Sequence, residues 1–132
     1  MNNFTVSLLI SLKNASLSNK GFLKIKTTKN CLPYIRILYK KGYIQSFKIF
    51  SSLDEENHTL TLIVYFRYYF NNSLLENLKI ISTPTKKKVL SLKDISRLFE
   101  TKTTVFLSTT LGIQTLIDCK KYKKGGIALF KC

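Results

Sequence analysis

Acidic side chains are what this chain has least of, and their scarcity is uneven. There are 7 Asp and Glu against 22 Lys and Arg, and no acid precedes Asp54. A net charge of +15 on 132 residues repels itself in the compact state and implies a polyanionic partner. Nucleic acid fits best, because neutralising phosphates releases their counterions, and a pI near 9.9 points the same way. The same scarcity removes most routes to catalysis. Paired carboxylates, a nucleophile beside a base, a phosphate-cradling P-loop and a metal-ligand cluster are all missing. The chain is therefore expected not to be an enzyme, and to need no cofactor, metal or small-molecule substrate.

Other absences narrow the class further. The three cysteines, Cys31, Cys119 and Cys132, fit neither a disulfide framework nor a paired-cysteine zinc knuckle. Cys31 and Cys119 read as small core residues, and Cys132 as an exposed thiol open to reaction. His58, the single histidine, has no partner at ligand spacing and reads as a surface residue at the start of a strand. No run of 18 apolar residues marks a membrane span, and no segment joins a clean cationic helical face to a broad apolar one, so no membrane partner is expected. The opening Met1-Asn-Asn-Phe-Thr-Val6 lacks the basic leader of a signal peptide, and no arginine-rich transit sequence follows. A protein of this kind working in an organelle is expected to be made there.

What is present is a core and a skewed codon signature. Hydrophobic residues make up 45% of the chain, enough for one compact unit or two small lobes. Lysine outnumbers arginine 19 to 3, alongside nine asparagines. That is the residue usage of an AT-rich genome, organellar or reduced bacterial.

Periodicity changes often along the chain, as in an α+β protein. Phe4, Leu8, Leu9 and Leu12 recur at helical spacing and predict a helix over 3–15 that buries this stripe. Phe22–Thr27 alternates as a strand. Thr28 or Asn30 can cap a second helix running to about Lys41, with Pro33 tolerated in its first turn and Gly42 stopping it. Tyr43–Phe50 and Thr59–Phe66 are β-rich segments forming a hairpin with Asp54, Glu55 and Glu56 at its tip. The aromatic run Tyr65–Phe70 suits base stacking and core packing alike. Asn71, Asn72 and Ser73 suit a linker between a lobe over 1–70 and another over 75–132.

In the second lobe, Leu78–Pro84 reads as a strand running into a turn, Lys86–Leu90 as a basic strand, and Asp94–Phe99 as a short helix. On a strand Lys86 and Lys88 would share one face and Lys87 the other. The lysines suit phosphate contact, or the protection of an edge strand against aggregation. Thr103–Leu107 is a strand delivering Ser108, Thr109 and Thr110 to a turn beside Gly112, and Thr115 can cap a helical turn over Leu116–Lys121. Hydroxyls on a tight turn suit RNA phosphate and ribose, and equally suit an ordinary hairpin turn.

Several of these segments share an order and spacing with one family. Ser108–Thr115 followed by Gly125-Gly126 and a final apolar strand is similar to the Ser-Thr-Ser-Lys-Gly-x-Met-Thr turn and Gly-Gly pair of bacterial-type small-subunit ribosomal protein eight. Lys13-Asn-Ala15 resembles that family's Arg-Asn-Ala, Thr28-Lys29 its Ser-Lys, and Lys41-Gly-Tyr-Ile44 its Glu-Gly-Phe/Tyr-Ile. Lys86–Leu90 resembles its basic hairpin. Four positions depart: Thr85 replaces a glycine, Val89 a tyrosine, Leu111 a lysine and Ile127 a glutamate.

The resemblance implies two small lobes. The N-terminal one runs helix, strand, helix, strand, strand; the C-terminal one is mostly antiparallel β with a short helix. It also implies a structural protein of the small ribosomal subunit that binds the central domain of the rRNA and touches neighbouring ribosomal proteins. Drift of the motifs favours a mitochondrial copy, with a plastid or a reduced-genome bacterial cytoplasm as the alternatives. On this reading RNA contacts fall to Lys29, Thr83, Pro84, Lys86, Lys87, Lys88, Ser108, Thr109, Thr110, Gly112, Thr115, Lys123, Lys124, Gly125 and Gly126. A free-standing RNA-binding regulator or RNA-processing accessory factor would carry the same charge and remains the other class.

Overall fold

A computed structural model describes residues 3–51, 59–98 and 104–132. His58 and the acidic cluster Asp54–Glu56 lie outside the described residues, as do Phe99 and Thr103. The chain divides into two compact units, Phe4–Glu76 and Asn77–Cys132, and the fold is α+β.

The first unit begins with helix α1, Asn3–Leu17, longer than periodicity predicts. Asn19 stops it by taking a left-handed conformation (φ 57°). Its N–H reaches the Ser16 carbonyl and that of Lys20 the Ala15 carbonyl, which satisfies carbonyls the helix end leaves open. The buried stripe is Thr5, Leu8, Leu9, Leu12, Ala15 and Ser16, while Phe4 is exposed. The stripe thus starts one residue later than the apolar pattern predicts. Thr5 takes the inward position because its hydroxyl has a partner there, the Cys31 sulfur 3.5 Å away. Leu8, Leu9 and Leu12 are almost fully buried, each contributing roughly 2 kcal/mol of hydrophobic free energy.

Strands β1 (Phe22–Thr28), β2 (Ile44–Ser51) and β3 (Thr59–Phe66) form an antiparallel sheet in the order β1-β3-β2. Leu60, Leu62, Val64 and Phe66 of the central strand are buried on one face. A 3₁₀ turn at Lys29–Cys31 leads into helix α2, Leu32–Lys40, with Pro33 in its first turn. Neither Thr28 nor Asn30 caps α2: Cys31 holds the capping position, and the Thr28 hydroxyl lies 3.7 Å from its sulfur. At the other end Gly42 adopts φ +83°. Its N–H bonds to the Tyr39 carbonyl and the Tyr43 N–H to that of Leu38, a glycine-terminated helix end.

Asn71, Asn72 and Ser73 are not a linker. Strand β4 (Tyr68–Tyr69) pairs with β5 (Asn72–Ser73), and the two residues between them, Phe70 and Asn71, have φ of 50° and 63°. Two left-handed residues in a two-residue loop make a type I′ hairpin. Polar residues suit such a turn as well as a linker, so composition alone does not separate the two.

In the second unit, β10 (Gly126–Lys131) is the middle of the sheet. Along one side it pairs with β6 (Lys79–Ile80) and β7 (Lys88–Leu90), and along the other with β8 (Val105–Thr109), itself paired to β9 (Gly112–Thr115). Helices α3 (Leu92–Leu98) and α4 (Leu116–Tyr122) complete it. Leu90, Ile95, Val105, Leu107, Leu116, Cys119 and Ala128 form one buried cluster. Phe106 and Phe130 stack with ring centroids 4.6 Å apart. Ser91 caps α3 reciprocally with Asp94: its N–H and hydroxyl donate to that carboxylate, and the Asp94 N–H donates back. The Ser91 backbone bond is the main reason the Asp94 carboxyl sits below its ordinary pKa.

Cys31 and Cys119 are buried, but Cys132 is half-buried rather than exposed, and its amide and carbonyl pair with those of Thr104. Burial pushes its thiol up to about 12, which leaves almost no thiolate at neutral pH. Among the described residues no group of His, Cys, Asp and Glu could hold a metal, and no helix is long and apolar enough to cross a membrane.

Candidate nucleic-acid interface

The hydroxyl turn is the loop between β8 and β9, with Thr109 facing Gly112 and Thr110 and Leu111 at the tip. Gly112 takes φ +105°, a conformation other residues rarely adopt, so the chain can fold back after only two loop residues. The Thr109 hydroxyl donates to the Gly112 carbonyl at 2.9 Å and accepts the Leu111 N–H at 3.2 Å. Its proton is thus committed to shaping the turn. Thr110 is exposed and accepts the Lys124 ammonium at 3.3 Å, which leaves its own proton to donate outward.

The glycine pair makes that contact possible. Gly126 approaches Ser108 so closely that a Cβ would overlap the Ser108 carbonyl, and a Cβ on Gly125 would lie 2.7 Å from the Leu90 carbonyl. Just before the pair, α4 ends with Lys123 in a left-handed conformation, φ 53°. The Lys124 N–H then closes on the Cys119 carbonyl at 3.0 Å. Chain reversal at Lys123 and close approach at Gly125-Gly126 together carry Lys124 to the hydroxyl turn.

Thr115 has another job. It is 3% exposed, stands at the N-cap of α4, and donates its hydroxyl to Asp118 at 3.2 Å. Its capping position agrees with the sequence, but its burial keeps it off any surface.

Thr83, Pro84, Lys86, Lys87 and Lys88 are all exposed. Thr83 and Lys86 exchange backbone hydrogen bonds at 2.9 and 3.2 Å, closing a tight turn around Pro84. Only Lys88 of the three lysines is on β7. Lys86 and Lys87 precede the strand, so strand alternation does not divide them between two faces. Lys88 lies opposite Ala128, across β10 from Leu107, so the lysine segment and the hydroxyl turn flank the same strand. Ser82, which sequence reasoning passed over, ties this together. Its buried hydroxyl donates to the Ala128 carbonyl and accepts the Lys88 N–H, and a lone serine between an apolar strand and a Thr-Pro turn was its only signal. Lys29 is exposed at the start of the 3₁₀ turn in the other unit.

Two of the unusual positions meet in one row. Val89 faces Ile127, Ile127 faces Ser108, and Ser108 faces Ile113. Ser108 therefore lies between two isoleucines in this row, which itself contains no acid.

The family model described as Ribosomal protein S8 matches residues 5–132. The small ribosomal subunit protein uS8m of Acanthamoeba castellanii is 34% identical, over 81% of this chain and 80% of its own length. The uS8 protein of Malacoplasma penetrans is 28% identical, over 90% and 88%, and the uS8c protein of Tetradesmus obliquus 32% identical, over 96% and 95%.

Proposed function

Because the chain belongs to the ribosomal protein S8 family, we propose that it is a structural constituent of the small ribosomal subunit that binds the central domain of the rRNA and holds it folded for assembly. The observation that carries this reading is the arrangement of half-buried Ser108 with exposed Thr110 and Lys124, held together by Gly125-Gly126. A hydroxyl donor and an ammonium at one turn can engage phosphate and ribose together. The lysines at 86–88 would extend contact along the RNA backbone, in a shape-directed rather than base-reading mode. The first unit would support neighbouring RNA and ribosomal proteins. A mitochondrial ribosome is the proposed setting, supported by the likeness to the A. castellanii protein and by the lysine- and asparagine-rich composition.

The test is binding to a central-domain rRNA fragment across a salt series. About six phosphate contacts predict a slope of log affinity on log salt near −5. Ser108→Ala with Thr110→Ala should cost on the order of 1 kcal/mol per lost contact with unfolding unchanged; Thr109 is spared because it shapes the turn. A slope near zero, or a variant that binds as before, overturns the reading. Sedimentation separates this role from that of a transient RNA-processing factor, which would leave the small subunit in moderate salt.

A further inference from the structure

The hydrogen-bond register of the first unit's sheet places nine side chains on its outer face in three rows. Phe22, Tyr65 and Ser46 form one row, Lys24, Ile63 and Lys48 the next, and Lys26, Thr61 and Phe50 the third. The opposite face carries the buried Leu60, Leu62 and Val64 of the central strand. On the outer face Phe22 is 57% and Phe50 50% exposed, and all three lysines are exposed. Three aromatics and three lysines thus alternate on one surface with no acid among the nine residues.

The contacts within this face are specific. The Phe22 and Tyr65 rings lie 6.3 Å apart between centroids, tilted by 46°. The Lys48 ammonium stands 5.8 Å from the centre of the Tyr65 ring. An exposed aromatic on a strand is unremarkable alone, but rings with ammonium groups beside them match what a nucleotide presents. Its base stacks on a ring while its phosphate finds a cation within reach. A face meant for an apolar protein partner has no need of three lysines, and a plain electrostatic surface has no need of half-exposed phenylalanines.

We infer that the outer face of this sheet is a second RNA-binding surface, which takes an unpaired RNA segment by stacking bases on Phe22, Tyr65 and Phe50 while Lys24, Lys26 and Lys48 neutralise its phosphates. Paired RNA offers no free base face to these rings. The row with Phe22 and Tyr65 is the stronger end, because Phe50 leads in sequence toward the acids Asp54, Glu55 and Glu56. The inference rests on the RNA-directed reading above but concerns a separate surface, formed by residues far apart in sequence.

The experiment measures anisotropy of fluorescein-labelled octauridylate, and of an RNA duplex of the same length, with the full chain. Octauridylate should bind more tightly than the duplex. Phe22→Leu keeps an apolar side chain at a half-exposed site, so the thermal midpoint should stay put while octauridylate affinity falls about tenfold at an unchanged salt slope. Lys24→Gln with Lys48→Gln should instead flatten the slope by about 1.4, from two single-strand phosphate contacts. Equal weakening of duplex and single-strand binding by Phe22→Leu overturns the inference. So does unchanged affinity of Phe22→Leu, which would assign the face to a protein partner. Ser108→Ala with Thr110→Ala is the separating control: it should weaken the rRNA fragment and leave octauridylate binding intact, so that either reading can fail without the other.

Discussion

The Lys124 ammonium meets the Thr110 hydroxyl at 3.3 Å, fourteen residues along the chain, and so puts a cation beside a turn whose own tip residue, Leu111, is apolar and exposed. Lysine at Leu111 is what the family pattern leads one to expect. Lys124 reaches the same turn from the segment between α4 and β10 and can supply the missing charge. Lys123→Ala with Lys124→Ala should therefore weaken binding to the central-domain fragment about tenfold at fixed low salt, as two phosphate contacts are lost. Leu111→Lys should gain less than about twofold. Filter binding of both variants on one fragment checks this, and the reverse ranking would make the lysines before the glycine pair a solvated run.

Gly126→Ala should destabilise the protein by about 3 kcal/mol, because the added methyl meets backbone, the Ser108 carbonyl, which cannot swing aside as a side chain would. Gly21→Ala is the contrast: nothing lies within 4 Å of the added carbon, and the change should be neutral or stabilising by up to about 1 kcal/mol. Urea unfolding of the two variants measures the difference.

Phe70→Asn should stabilise the protein by about 0.5–1 kcal/mol and raise its thermal midpoint by a few degrees. Phe70 is 81% exposed and left-handed at φ 50°, so it carries the strain of a bulky residue in a type I′ turn with little burial in return. The change forfeits its edge-on contact with Tyr69, 4.4 Å between centroids, which limits the gain. Calorimetry decides the sign.

Burial raises the Cys132 thiol to about 12, so the folded chain holds this proton more tightly than the unfolded one, where it leaves near pH 9. The stabilisation is complete below pH 9 and is lost as pH climbs toward 12. Thermal midpoints of the protein and of Cys132→Ser should therefore converge on the alkaline side. A difference constant from pH 8 to 11 would contradict it. Iodoacetamide at pH 8 should leave Cys132 largely unmodified.

Local chemistry was legible and cross-strand chemistry was not. Gly42 and Pro33 announce the ends of α2, and the alternation of Phe22–Thr27 announces β1, because each rule acts within a few residues. At α1 the pattern favoured Phe4 over Thr5, since hydrophobicity says nothing of a threonine hydroxyl that meets a cysteine 26 residues away. The hydroxyl turn stood out through its hydroxyls and glycine, but the commitment of the Thr109 hydroxyl and the burial of Thr115 follow from pairing and packing. The outer row of Phe22, Tyr65 and Ser46 required a register joining β3 both to β2 and to β1, the latter more than forty residues away.

The central position of β10 also sets an order in time. A nascent chain emerges from its N-terminal side, and β1, β2 and β3 can pair once residue 66 is out. By contrast β6, β7 and β8 all pair with 126–131, so their ladders wait for a segment made tens of residues later, and long-range closure of that kind is slow. Lys88 and the hairpin carrying Ser108 are both synthesised before the strand that joins them, and their mutual spacing is fixed only when it arrives. A message cut short before codon 126 would deliver the lysines and hydroxyls without the strand that sets their spacing, a cationic chain with charge for RNA but no shape to choose one.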